Sequence, residues 1–436
     1  MKLIGLITIV LAASSLTGCG VGQNTSAAAA LPAASPIITD EEAVKITIRS
    51  LEERIRRDPE DFISYNKLAG YYLQFHRETG DGQYLDLAQR AAKSSLAALP
   101  AEMNAGALAA LAQVEFASHD FISARDHAQQ LARMEPSKSY SYILLFDSLI
   151  ELGEYDEAAL AVNRVKQLEG NSVNSESRLA RFALLKGQTD AATRKISDAV
   201  AFALNSASPQ RENVAWLRWQ LGEITFSTGN YPSAERHYRD ALVTFPGYYR
   251  AAGALGKTLA ARGDIAGAIS EYERVVAKTP DPVFIAALGD LYKLAGREKE
   301  AASQYALVEQ IARLGKSAGA LYDRQLAIFY ADHDMKADDA YALAKKEYET
   351  RRDIYGADVL AWAALKAGKI DEAQSAIKEA LRLGTRDAKL FYHAGMIYRA
   401  AGDNSKAKDY LERALKLSPR FDPLQATVAR RALEEL

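Results

Sequence analysis

The sequence predicts an all-α fold, a right-handed solenoid of stacked helix–turn–helix units. Three observations carry that expectation. Glycine recurs at a fixed interval: Gly153 and Gly187, Gly229 and Gly263, and Gly368 and Gly402 are each 34 residues apart, and Gly263 and Gly296 are 33 apart. Around these glycines apolar residues recur at helical spacing on two segments, the pattern of a helix, a tight turn and a second helix. Proline closes several units, at Pro246, Pro280 and Pro419, stopping one helix and starting the next. A 436-residue chain would otherwise divide into several globular domains, and such a period marks a repeat array instead.

The units align residue by residue. "VAWLRWQLGEITFSTGNYPSAERHYRDALVTFP" and "YYRAAGALGKTLAARGDIAGAISEYERVVAKTP" share Leu-Gly, a turn glycine, Ala, Tyr four residues later, and a closing Pro. The strongest matches are Leu221-Gly222 with Ala234 and Tyr238, and Leu255-Gly256 with Ala268 and Tyr272. Leu288-Gly289-Tyr292 with Ala301 and Tyr305 follows, then Gly395-Tyr398 with Ala407 and Leu411. Period and residues together resemble the tetratricopeptide repeat (TPR) family. The family's tryptophan is replaced in these units by Arg218, Ala252, Ile285 and Phe391. Small residues such as Gly222, Ala234 and Ala241 stand where two helices cross closely, and Leu221 and Tyr238 fill the space between. One pair cannot bury both faces of its helices, so pairs must stack, each touching its neighbours.

The solenoid spans residues 40–420, with about ten units, some degenerate, between residues 60 and 420. Extra residues appear at 205–212 as a polar loop, near "ADHDMKADD", and in a long first turn, "HRETGDGQ". A lone helix at about 41–57 precedes the array, and residues 421–436 read as a capping helix whose polar face seals the last unit.

The N-terminus reads differently. Lys2, the apolar run from Leu3 to Leu11 and the small residues after it have the order of a secretory signal peptide over residues 1–18. Leu16-Thr17-Gly18-Cys19 resembles the lipobox of bacterial lipoproteins, and Cys19 is the chain's one cysteine. The resemblance implies that its thiol carries a diacylglyceryl group and becomes the first residue of the mature protein. Two acyl chains hold a membrane stably where one does not. Residues 20–39, "GVGQNTSAAAALPAASPIIT", are small, uncharged and cannot build a core, so residues 19–39 are the anchor and a flexible linker. With Gly20 and no Asp after the anchor, family knowledge expects the periplasmic face of the outer membrane if the organism is Gram-negative.

A formal net charge of −2 argues against a nucleic-acid partner. No phosphate-cradling glycine motif and no G-x-S-x-G is present, and the six histidines are scattered through different units. His119 and His127 stand eight residues apart, too far for ordinary helical metal ligands. "DHDMKADD" lacks the glycine and glutamate of a calcium loop, and Arg262-Gly263-Asp264 falls on a turn that wants those residues anyway. The expectation is no enzyme, no cofactor and no metal.

What remains is the inner surface. In the tetratricopeptide family first helices line a concave groove that holds peptides or helices of partner proteins. The register places Trp216, Trp219, Tyr355, Trp362, Tyr392 and Arg399 there, with Lys257, Asp290 and Lys293. Exposed aromatics and Arg carry protein-binding energy, and the competing reading makes the aromatics core between units. The resemblance implies a membrane-tethered scaffold that binds or assembles other cell-envelope proteins. Pilus-assembly pilotins and outer-membrane assembly lipoproteins use similar anchored arrays. "RRDIYGADVLAWAALKAGKIDEAQSAIKEAL" also looks like a stretch of bacterial tetratricopeptide proteins of unassigned role. The alternative is a glycan- or cell-wall-binding accessory guiding a wall enzyme, with Trp216 and Trp219 stacking on sugars.

Overall fold

Helices occupy most of the chain because apolar residues recur at their period and side chains cap many of the N-termini. A computed structural model describes residues 40–207, 209–317 and 323–436. The signal segment, Cys19 and the linker at 20–39 lie outside the described residues, as does residue 208 in the polar loop. Among the described residues there are 22 α-helices and no strand. The chain divides into two units, residues 1–43 and 44–436, and the helix pairs all belong to the second.

Twenty helices form ten antiparallel pairs. Phe62–Thr79 pairs with Gly82–Ala98, Ala105–Ala117 with Phe121–Met134, and Ser139–Leu152 with Tyr155–Glu169. Val173–Leu185 pairs with Thr189–Leu204, Arg211–Ser227 with Tyr231–Thr244, and Tyr249–Arg262 with Ile265–Val276. Pro282–Leu294 pairs with Glu298–Ser317, and Asp323–Asp332 with Ala337–Tyr348. Ile354–Lys366 pairs with Ile370–Ala380, and Ala388–Ala400 with Asn404–Leu417. A leading helix, Asp40–Arg57, precedes them, and Gln425–Glu434 ends the chain.

Within a pair the close crossing is made by glycine against an aromatic or leucine. A Cβ on Gly256 would stand 2.8 Å from the Tyr272 ring, and one on Gly395 2.6 Å from Leu411 Cγ. The tyrosines at such crossings keep their hydroxyls paired: Tyr238 donates to Glu223 at 2.6 Å and Tyr305 to Asp290 at 2.7 Å. Asp or Asn side chains cap many of the helices, among them Asp120, Asn230, Asp264, Asp353 and Asp403. First helices of successive pairs pack on one another more than second helices do, so the ribbon of pairs curves toward its first helices.

That curvature corrects one expectation, that each unit touches its neighbours alone. The ribbon winds until one edge meets the other. In the first, third, fourth and fifth pairs the turn packs against the loop that follows the fifth pair further on. Thr279 Oγ1 donates to Thr79 O at 3.2 Å, bridging 200 residues. The Ile354 amide donates to the Tyr155 hydroxyl at 2.9 Å, bridging 199, and Thr385 Oγ1 donates to Leu185 O, bridging 200. The Arg420 amide donates to the Tyr231 hydroxyl at 2.8 Å, and the Arg420 guanidinium reaches Ala261 O at 2.9 Å. Turn glycines serve this seam. Gly153 and Gly187 lie against the backbones of Arg352 and Gly384, and a Cβ on Gly229 would stand 3.0 Å from Leu417 O. Gly296, Gly368 and Gly402, equally left-handed but beyond the seam's reach, have nothing within 4 Å of a would-be Cβ. The result is a superhelix whose turns touch, walled by the pairs and lined by first helices.

Candidate functional site

The lumen is built from side chains that first helices project inward. On the third and fourth pairs Asp147 and Arg178 form an ion pair at 2.5 Å, and Glu151 pairs with Arg181. Across the seam Glu151 also pairs with Arg351, which lies 3.2 Å from Glu347. Arg324 completes the network, 2.9 Å from Glu347 and 2.5 Å from Asp353. Burial works to raise the Glu151 carboxyl, but the Arg181 and Arg351 guanidiniums overcome it and hold it down at about 2. The network joins two turns of the superhelix, and its charges balance.

A second polar cluster fills the lumen face of the last three pairs. Asp332 accepts from Trp362 Nε1 at 2.9 Å, Gln425 Nε2 at 2.6 Å and Lys389 Nζ at 2.7 Å. Burial would raise Asp332, yet Lys389 beside it lowers it, while the nearby Asp422 carboxyl is raised by burial. His393, fully buried, stacks on Trp362 at 4.3 Å and faces Asp358 at 2.9 Å. Earlier in the array, His333 offers Nδ1 to Phe329 O at 2.6 Å and Nε2 to Asp290 at 2.7 Å. Both ring nitrogens face acceptors, which is the geometry of an imidazolium. Burial opposes that charge, but the Asp290 carboxylate outweighs it and raises the His333 pKa.

The six residues assigned to the groove from sequence therefore divide. Trp362 is 1 % exposed and Tyr392 2 %, so these two are core, a correction to the groove assignment. The cause is the C-terminal segment: Phe421 packs on the Tyr392 ring at 5.5 Å, and Gln425 closes over Asp332 beside Trp362. Arg399 is half-buried and paired with Glu435 of the same terminal stretch, so it too is engaged. Trp216 and Trp219 are half-buried and pack against the cores of the fourth to sixth pairs, Trp219 also lying under Arg250 at 5.8 Å. Tyr355 alone of the six is exposed, at 40 %. Asp290, placed on the groove from its register, is bound by Tyr305 and His333, and Lys257 sits over the Phe226 ring at 4.1 Å. His127, weighed as a metal ligand, pairs with Glu115 at 2.7 Å. Among the described residues no group of three or more His, Cys, Asp or Glu side chains could hold a metal ion. No described helix is long and apolar enough to cross a membrane.

Sequence reasoning missed Glu151, Arg181, Arg324 and Arg351 altogether. Arginines and glutamates on solvated helices are common, and only the superhelical winding brings residues 200 apart in sequence to one another.

Parts of the chain are similar to known tetratricopeptide-repeat proteins. The tetratricopeptide repeat family model matches residues 220–282 and 359–420. The TPR repeat-containing protein YpiA of Bacillus subtilis (strain 168) is 23 % identical over 269 residues, 61 % of this chain and 60 % of that one. The match thus spans less than two thirds of the relative's length. Among solved structures, a human IFIT1 dimer with PPP-AAAA aligns over 86 % of this chain and 87 % of that one, at 16 % identity and a TM-score of 0.47. The thermophilic TPR protein TTC0263 of Thermus thermophilus aligns over 43 % of this chain and 98 % of that one, at 18 % identity and a TM-score of 0.36. Arrays of these repeats are scaffolds for protein–protein interaction.

Proposed function

We propose that this chain, a tetratricopeptide-repeat protein, is a lipid-anchored scaffold that binds or assembles other cell-envelope proteins through its lumen-facing helices. The reading rests on one observation above others: Tyr355, on the first helix of the ninth pair, stays 40 % exposed, and burial together with the nearby Asp387, Asp353 and Asp358 carboxylates raises its hydroxyl. Aromatic and charged groups together on a preformed concave face are what an extended peptide needs for burial and register. Cys19, with the linker behind it, would tether the array, and the periplasmic face of the outer membrane is the proposed address in a Gram-negative cell. A sugar-stacking role for Trp216 and Trp219 is the weaker reading, because a stacking platform needs an open indole face and both indoles pack into core clusters.

Two measurements test the proposal. Cross-linking in intact envelopes, followed by mass spectrometry, should recover envelope proteins with the wild type and lose them with Tyr355→Ala. Recovery that is indifferent to Tyr355 would remove the lumen from the account. Cys19→Ser should abolish labelling by a fatty-acid analogue and release the protein from the membrane fraction. Unchanged labelling would exclude the anchor.

A further inference from the structure

The turn of the eighth pair, within "ADHDMKADD", departs from its neighbours in the array. The turns of the seventh and ninth pairs give the left-handed place to glycine, Gly296 and Gly368, with φ of 72° at each. In the eighth pair Asp334 and Lys336 are left-handed instead, with φ of 54° and 43°. A Cβ resists that conformation, and such strain persists only where the surroundings hold it.

The turn's side chains supply that hold, and they do so unequally. Asp334 pairs with Lys366 of the ninth pair at 2.5 Å, but the Asp334 side chain is 76 % exposed. Lys336 pairs with Glu309 of the seventh pair at 2.5 Å and is itself 45 % exposed. Ion pairs open to water on that scale contribute little. His333 differs: its side chain is buried, and it meets the largely buried Asp290 of the seventh pair at 2.7 Å through Nε2. Its Nδ1 meets the Phe329 carbonyl at 2.6 Å. The Tyr305 and Phe329 rings each lie 4.6 Å from the imidazole, a setting that favours a cation. A neutral imidazole has one N–H, so on losing its charge His333 must turn a lone pair toward one of these two oxygens.

We propose that His333 is the catch of a pH-operated clasp on the eighth pair: charged, it holds the turn in its left-handed course, and neutral, it lets the turn open. The clasp belongs to the free chain and does not depend on what the array binds. The charged and titratable groups about it come from every side. Asp290 and Tyr305 face it from the seventh pair, the Tyr305 hydroxyl donating to Asp290. Asp332 and Asp334 flank it in the chain, tied to Lys389 of the tenth pair and Lys366 of the ninth. Asp422 of the terminal segment lies near enough for Asp290 to help raise it. Burial works against the His333 charge, but Asp290 carries the folded value above that of an ordinary imidazole. The hold is therefore complete below the ordinary value and is lost as pH rises through the folded one.

Hydrogen exchange on the full chain tests this, because neighbouring pairs carry the same turn bond. The Met335 amide donates to Tyr330 O at 2.9 Å, as the Arg297 amide does to Tyr292 O at 2.8 Å and the Lys369 amide to Ala364 O at 2.8 Å. With rates corrected for chemical exchange at each pH, Met335 should lose protection by up to about tenfold per pH unit above the ordinary imidazole value, the limit for one proton. Arg297 and Lys369, in glycine turns, should hold theirs. His333→Gln should leave Met335 weakly protected at every pH. Asp290→Asn, the second variant should the first disturb the pair, should bring the His333 imidazole titration back toward the ordinary value. It should also make Met335 exchange at neutral pH as the wild type does at alkaline pH. If Met335 keeps pace with Arg297 and Lys369 across the range, or keeps its pH dependence in either variant, the clasp is overturned.

Discussion

Gly187 and Gly368 hold the same place in their pairs, the turn between first and second helix, with φ of 68° and 72°. Alanine at either position must take the left-handed conformation, at a cost of about 1–2 kcal/mol. The surroundings differ. Nothing lies within 4 Å of a Cβ on Gly368, whereas a Cβ on Gly187 would run into the Gly384 carbonyl, with Arg386 Cγ 3.2 Å away. Overpacking against backbone costs roughly 1–3 kcal/mol more. Gly368→Ala should therefore lose ~1–2 kcal/mol and Gly187→Ala ~2–5 kcal/mol, the excess being the seam's own contribution. Urea unfolding followed by circular dichroism measures both, and because repeat arrays need not unfold in one step, hydrogen exchange should accompany it. Lost protection should appear in Gly187→Ala at the turn and at the loop around Gly384, and in Gly368→Ala at its own turn alone. Equal losses for the two substitutions would refute the argument that the edges bear on each other.

Three further outcomes follow from the buried groups. Trp362→Ala should cost about 3–5 kcal/mol, since it empties a packed site and strips a donor from Asp332, while half-buried Trp219→Ala should cost distinctly less in the same melts. Equal costs would return Trp362 to the groove. The raised pKa of His333 means that its stabilising charge is complete below the ordinary imidazole range and is lost as pH rises through the folded value. Stability should decline over that alkaline side, His333→Gln should flatten the decline, and an imidazole NMR titration at or below the ordinary value would contradict it. Glu151, held at about 2 against an ordinary 4.5, stabilises above the ordinary value and fails as pH falls toward 2, a contribution on the order of 3 kcal/mol. Glu151→Gln should therefore lose stability at neutral pH and show a shallower acid slope, and an unchanged slope would show that the two arginines do not hold it.

Much of the fold was legible because a repeat writes the same constraint many times. Gly256 against Tyr272 and Gly395 against Leu411 are one crossing seen in two places, so the spacing alone announces it. The site was less legible, for a physical reason. Position on a first helix tells which way a side chain starts out, not what covers it. Trp362 and Tyr355 both start toward the lumen, but Gln425 and Phe421 arrive from the terminal segment and close over the region of Trp362 and Tyr392, leaving Tyr355 accessible. The seam was invisible in sequence, since its partners are separated by about six units and are drawn from residue types that any solvated turn uses.

The seam also changes what the repeat period implies about stability. In an open solenoid each pair interacts with the next, and damage stays near where it is made. Here the fourth pair meets the loop before the tenth through Leu185 and Thr385, and the third meets the start of the ninth through Tyr155 and Ile354. Each pair in the wound region is therefore coupled both to its neighbours and to a partner one superhelical turn away. A substitution such as Gly256→Leu, which overpacks the sixth pair against Tyr272, should then be felt first in that pair and next where Arg420 meets Ala261, before it reaches pairs nearer in sequence but away from the seam. That order of loss, read by hydrogen exchange, is what a closed wall predicts and an open ribbon does not.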